Sequence, residues 1–340
     1  MMMLGVLSLL CVVNIATGRY QLAAAVLAAA VIVGAFSWCF GPPAPARGPP
    51  PVVRLSTQDQ RTLANSVRAN SPQTPGKDHH VMIPRNGSSK IEAVFRRPTN
   101  IPSLSSGKRG GDGDGRDVDS ANATTCFVLT HPWAILGGDF DNNVPQRLGF
   151  ALSQYGYATC RFNFRGVGRS TGCCTWRGHG ERDDLKAVVD WLCEEQGMVK
   201  IVLVGYSYGS MISNSCADMR DEITAFVSIS TPFPCYWGLS LFNCARMLQW
   251  AQSSDKPKLF ICGNQDQFTS ANQYRRYVRS FPVGGGGGDA DRGAHPMACY
   301  LLMDVDHFWY GQEMAACGLI LKFFKKRPEL VGRPESKKKS

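Results

Sequence analysis

The chain has 340 residues, 44% of them hydrophobic, 19% charged and 10% aromatic, with a formal charge of +10. That is enough length and apolar content for a sizeable core, which excludes a disulfide-stapled miniprotein and a globally disordered chain. Eight Lys and Arg between residues 322 and 340, against Glu329 and Glu335, supply +6 of the +10; a nucleic-acid reader would spread such charge over its fold, so no nucleic-acid partner is expected.

Residues 1–40 are read as a hydrophobic membrane anchor. Leu22 to Phe40 is a run of 19 residues without a charged side chain, about 28 Å as a helix and close to the hydrocarbon thickness of a bilayer. The Pro-rich stretch 41–77 reads as a flexible linker. Within it Arg47, Arg54, Arg61 and Arg68 meet just Asp59, which puts that flank on the cytosolic side by the positive-inside tendency. Cys126, Cys160 and Cys262 lie in apolar runs and read as small buried hydrophobes. With no C-x-x-C spacing among the 13 Cys, reduced thiols and no metal are expected. The chain ends Lys337-Lys338-Lys339-Ser340, and this basic tail, 329–340, resembles a dilysine retrieval signal of endoplasmic-reticulum membrane proteins.

From residue 78 to 328 the pattern is that of a catalytic α/β domain. His80–Pro84 and Lys90–Arg96 around an Asn86-Gly87 turn read as a hairpin. Residues 103–120 and 283–296 read as flexible loops. Strands are expected at 125–130, 158–164, 200–204, 225–230, 258–262 and 298–303, alternating with helices at 143–154, 183–196, 210–219, 239–252, 272–281 and 312–324. Continuous apolar strands separated by helices predict a mostly parallel sheet of about eight strands with helices on both faces.

Gly205-Tyr206-Ser207-Tyr208-Gly209 fits G-x-S-x-G directly after the strand Ile201 to Val204 and at the start of a helix, the setting of a nucleophile elbow. A serine needs an imidazole to take its proton and a carboxylate to orient that imidazole. Two His follow Ser207. His295 sits in a Gly-rich loop, whereas His307 falls just past a strand, where a loop can reach the elbow. Asp266 follows the strand ending at Cys262 and so projects from the same sheet edge; Asp304 and Asp306 compete with it. The oxyanion needs backbone donors, expected from Tyr208 and, since Pro132 has no N–H, from Trp133. His131 is expected to brace that loop rather than bind a metal.

With these motifs in place, the chain resembles the α/β-hydrolase superfamily, and most closely its small serine hydrolases with an HP...GG...DN loop, here His131 to Asn142, and an RFNFRGVGRS stretch, here Arg161 to Ser170. The resemblance implies that Ser207, Asp266 and His307 form a triad and that no cofactor is needed. Gly166 and Gly168 do not make a phosphate loop, because the third glycine, Gly172, comes one residue late for G-x-G-x-x-G. The apolar segment between 230 and 258 lies where this fold places a cap, so a small or absent cap is expected. Phe233 and Trp237, with Tyr206, are candidate pocket residues for an acyl chain. The expected activity is hydrolysis of a small-molecule ester or thioester through an acyl-enzyme; a serine peptidase and a noncatalytic scaffold are the alternatives.

Overall fold

The structure, a computed structural model, describes residues 52–70, 75–98, 124–175, 177–235, 244–281 and 297–331. The anchor run Leu22 to Phe40, most of the basic tail, the two predicted flexible loops, His295 and Trp237 lie outside them. Among the described residues no helix is long and apolar enough to cross a membrane.

The described residues form one sheet of nine strands: β1 (Val52–Leu55), β2 (Asp78–Pro84), β3 (Lys90–Arg96), β4 (Thr125–Thr130), β5 (Ala158–Phe162), β6 (Lys200–Tyr206), β7 (Ile223–Ile229), β8 (Lys258–Gly263) and β9 (Met297–Leu302). Their order is β1-β9-β8-β7-β6-β4-β5-β3-β2. The β2–β3 and β3–β5 pairs are antiparallel and the other six are parallel. The period-two alternation of a strand splits β6 between two cores: Ile201 and Leu203 face one, Val202, Val204 and Tyr206 the other.

Among the described residues seven helices cover these faces: α1 (Thr57–Ala69), α2 (Asn143–Gln154), α3 (His179–Glu194), α4 (Tyr208–Ser215), α5 (Cys244–Ser253), α6 (Ala271–Val278) and α7 (Glu313–Lys325). Helices α3 to α6 pack on the first face through Leu185, Val188, Met211, Met247 and Tyr274. On the second, α1, α2 and α7 pack through Val67, Leu148, Leu319 and Phe323. Parallel strands buried on both sides explain why they read as continuous apolar runs. Cys126, Cys160 and Cys262 are buried among them.

Two boundaries of the sequence reading are corrected. The stretch read as linker, 41–77, contains β1 and α1. Strand β1 pairs in parallel with β9, Val52 opposite Cys299, and α1 opens on a capping box in which Ser56 and Asp59 satisfy each other's backbone amides. The buried Gln60 side chain then donates to the carbonyls of Leu55 and Met303 (3.1 and 2.8 Å). At the other end, residues 329–331 belong to the fold rather than to a tail. Val331 is buried, and the Glu329 and Leu330 carbonyls accept from Lys200 and Thr224 at 2.8 and 2.9 Å.

Candidate active site

Ser207, Asp266 and His307 follow β6, β8 and β9, which run parallel, so all three emerge at one edge of the sheet. The structure brings them into contact. His307 Nε2 lies 2.9 Å from Ser207 Oγ, and His307 Nδ1 lies 2.9 Å from Asp266 Oδ2. Asp304 and Asp306, the competing carboxylates, are employed elsewhere. Asp304 accepts from the Thr57 hydroxyl (2.7 Å), and Asp306 Oδ1 accepts the amides of Phe308 and Trp309 (2.9 and 3.1 Å).

Ser207 sits at φ 54°, ψ −126° between β6 and α4, a backbone conformation that L-residues rarely adopt and that surrounding bonds must hold. Its amide donates to the Ile229 carbonyl at 2.9 Å, and its own carbonyl accepts from the Ser210 hydroxyl at 2.6 Å. The flanking glycines are required by space. A Cβ on Gly205 would run into the backbone of Ser210, and one on Gly209 into the carbonyl of His131 and the hydroxyl of Thr130.

Asp266 is fixed through its other oxygen: Oδ1 accepts the amides of Phe268 and Thr269, both at 2.9 Å, which aims Oδ2 at the imidazole. The backbone of His307 is held twice, its amide by Gln267 Oε1 (3.0 Å) and its carbonyl by the Tyr206 hydroxyl (2.8 Å). Gln267 was not legible as a site residue. Tyr206, a candidate pocket residue from the sequence, is buried, faces the second core layer, and lies stacked near the imidazole with ring centroids 5.8 Å apart. Phe233 is also buried, on a short 3-10 turn beside Tyr274.

Tyr208 is the first residue of α4, where a backbone N–H has no intrahelical acceptor. Trp133 precedes the 3-10 turn Ala134–Leu136 and gives its carbonyl to the amides of Leu136 and Gly138. Among the described residues neither the Trp133 nor the Tyr208 amide meets a protein acceptor. His131 is wholly buried behind this loop. Its Nε2 accepts the Phe164 amide (3.0 Å) and its Nδ1 faces the Pro132 carbonyl (2.6 Å). Burial lowers its pKa to about 4, with the Pro132 contact opposing, so it braces the loop as a neutral ring.

The Arg161 to Ser170 stretch is tied to β3 through Glu92. Glu92 accepts from the Arg169 amide (2.7 Å) and from Asn163 Nδ2 (3.0 Å). Burial pushes the Glu92 pKa upward, but these bonds prevail and hold it below the ordinary value. The helix expected at 183–196 would put Asp184 in its first turn; because α3 begins at His179, Asp184 turns inward and takes the Arg165 amide (2.8 Å) and guanidinium, together with Arg85. A hollow of about 270 Å³ lined by Pro84, Arg85, Trp191 and Glu194 involves none of the site residues.

A family model described as the alpha/beta hydrolase fold matches residues 135–248. Solved structures with this architecture cover most of the chain. An alpha-beta serine hydrolase homologue from Coxiella burnetii superposes with a TM-score of 0.54 at 23% identity, over 72% of this chain and 96% of its own. The chain has the α/β-hydrolase fold. A serine hydrolase without lid from Xanthomonas campestris gives a TM-score of 0.55 at 20% identity over 75% and 97% of the two chains. The Pyrococcus furiosus esterase Pf2001 gives 0.51 at 17% over 84% and 98%. At such identities these structures share the fold. A curated Rickettsia prowazekii protein, described as uncharacterized protein RP471, is 37% identical over 114 residues, 33% of this chain and 47% of its own. The present chain thus spans about half the length of that curated relative.

Proposed function

We propose that this protein of α/β-hydrolase fold cleaves an ester or thioester by nucleophilic catalysis, with Ser207 as nucleophile, His307 as general base and acid, and Asp266 as the residue that orients the imidazole. The observation that carries the reading is the continuous chain Ser207 Oγ, His307 Nε2, His307 Nδ1, Asp266 Oδ2, with both links at 2.9 Å.

With the Nδ1 proton donated to Asp266, Nε2 is free to take the Ser207 proton as Oγ bonds to the acyl carbon. The negative charge then develops on the former carbonyl oxygen, where the amides of Trp133 and Tyr208 can donate to it. On collapse, the carbon–oxygen or carbon–sulfur bond breaks and Nε2–H returns the proton to the departing group. Water then repeats the sequence on the acyl-Ser207 ester and releases the acid. No step requires a cofactor. The chemistry of an esterase is supported further by the fold shared with Pf2001. The apolar run Leu22 to Phe40 supports a membrane tether on sequence grounds, tested by whether the protein sediments with membranes after alkaline extraction.

The test is direct. Brief reaction with an activated acyl ester, acid quench and peptide mass analysis should place the acyl mass on the peptide containing Ser207. Turnover without any acylated peptide, or acylation elsewhere, contradicts the mechanism.

A further inference from the structure

Resting on that reading, we infer that Phe268, Phe308 and Tyr310 form a subsite for the leaving group, and that it takes a neutral, flat, apolar alcohol or thiol rather than an anionic one. The position follows from the proton. Because His307 Nε2 must deliver it to the departing atom, the departing group passes within hydrogen-bond reach of the imidazole. On its buried side the imidazole is backed by Tyr206. Its other aromatic neighbours are Phe268, with ring centroids 4.4 Å apart, and Phe308, at 5.9 Å and nearly perpendicular.

Phe308 and Tyr310 are 42% and 76% exposed, two of the five strongly exposed large hydrophobic residues among those described. They stack on each other, 6.4 Å between centroids and 16° between planes. The backbone holds them outward. Trp309 adopts a left-handed φ of 61° and is fully buried, its indole donating to Ser230 Oγ at 2.8 Å. Asp306 takes the Phe308 amide, and Asn143 Nδ2 donates to the Phe308 carbonyl at 2.8 Å. Strain is thus accepted at Trp309 in a loop that turns two stacked aromatic rings to solvent, Phe308 beside the imidazole, which argues for a ligand there rather than for core packing.

Charge defines the class of ligand. Residues 131–142, 264–270 and 303–312, the loops that carry Trp133, Asp266 and His307, contain no Lys or Arg but hold Asp139, Asp141, Asp266, Asp304 and Asp306. A phosphorylated or sulfonated leaving group would find no cation on these loops to pair with it. An aryl alcohol or aryl thiol would stack on the rings without that penalty.

The experiment compares methyl acetate, 2-naphthyl acetate and its ring-sulfonated analogue with the full chain and with the Phe308→Ala/Tyr310→Ala double variant, whose altered positions are exposed. Wild type should favour the neutral naphthyl ester over the sulfonated one about tenfold in kcat/KM, and the double variant should cut the naphthyl-to-methyl ratio about tenfold. A ratio within about twofold of wild type, or sulfonated ester turned over as well as neutral, overturns the subsite. A fluorophosphonate, whose leaving group is fluoride, reports on the nucleophile separately. A labelled wild type with an unmoved ratio removes the subsite alone, whereas a wild type neither labelled nor active on any ester removes the hydrolase reading and the subsite with it.

Discussion

The hydroxyl of Tyr206 donates to the backbone carbonyl of His307 at 2.8 Å, across 101 positions of sequence. Tyr206 directly precedes Ser207, so the turn that presents the proposed nucleophile also holds the loop that presents its proposed base. Removing this hydroxyl should loosen the imidazole without touching substrate. Tyr206→Phe is expected to lower kcat about tenfold while KM changes less than about twofold, measured by steady-state kinetics on an activated ester. A rise in KM at constant kcat would return Tyr206 to the substrate pocket.

The choice among three carboxylates has an equally sharp consequence. Asp266→Asn should reduce kcat about 10³- to 10⁴-fold, since the amide can no longer fix the tautomer that leaves Nε2 free. Asp304→Asn weakens the bond from Thr57 by removing the acceptor's charge and should cost up to about 1 kcal/mol of stability, read as a shift in the urea midpoint, with kcat within about threefold of wild type. The reverse ranking in kcat would mean that Asp266 is not the orienting acid.

Much of this was legible in advance because it is local. The alternation of apolar strands with helices, the G-x-S-x-G elbow after β6, and the loop positions of Asp266 and His307 at strand ends all follow from neighbouring residues. What escaped the sequence depends on distance. Strand β1 is four residues long and follows a Pro-rich stretch; its pairing with β9 has no local signature, although the Ser56/Asp59 capping box behind it could have been found. Asp184 looks like a helix-start carboxylate until Arg85, 99 positions away, meets it in the core. Tyr206 looks like a pocket residue because its partner is a backbone carbonyl, which leaves no mark in any side-chain pattern.

Acidification should reveal the braced histidine. Burial lowers the His131 pKa from 6.5 to about 4, so as pH falls the unfolded chain takes this proton first. The stability His131 contributes as a neutral ring is complete above about pH 6.5 and is lost between about pH 6.5 and 4, by up to about 3 kcal/mol. The decline of Tm between pH 7 and about pH 4.5 should therefore be steeper in wild type than in His131→Asn, where that proton uptake is absent. Equal slopes would mean that His131 is charged, or exposed, in the folded protein.

The central claim is that Ser207 is a nucleophile activated by His307. It is tested most directly by fluorophosphonate labelling of wild type, Ser207→Ala and His307→Ala, with circular dichroism to show that each is folded. Wild type should be labelled at Ser207, Ser207→Ala not at all, and His307→Ala at least about 10³-fold more slowly. Labelling that persists in folded Ser207→Ala, or a folded wild type that takes up no probe, would contradict the account.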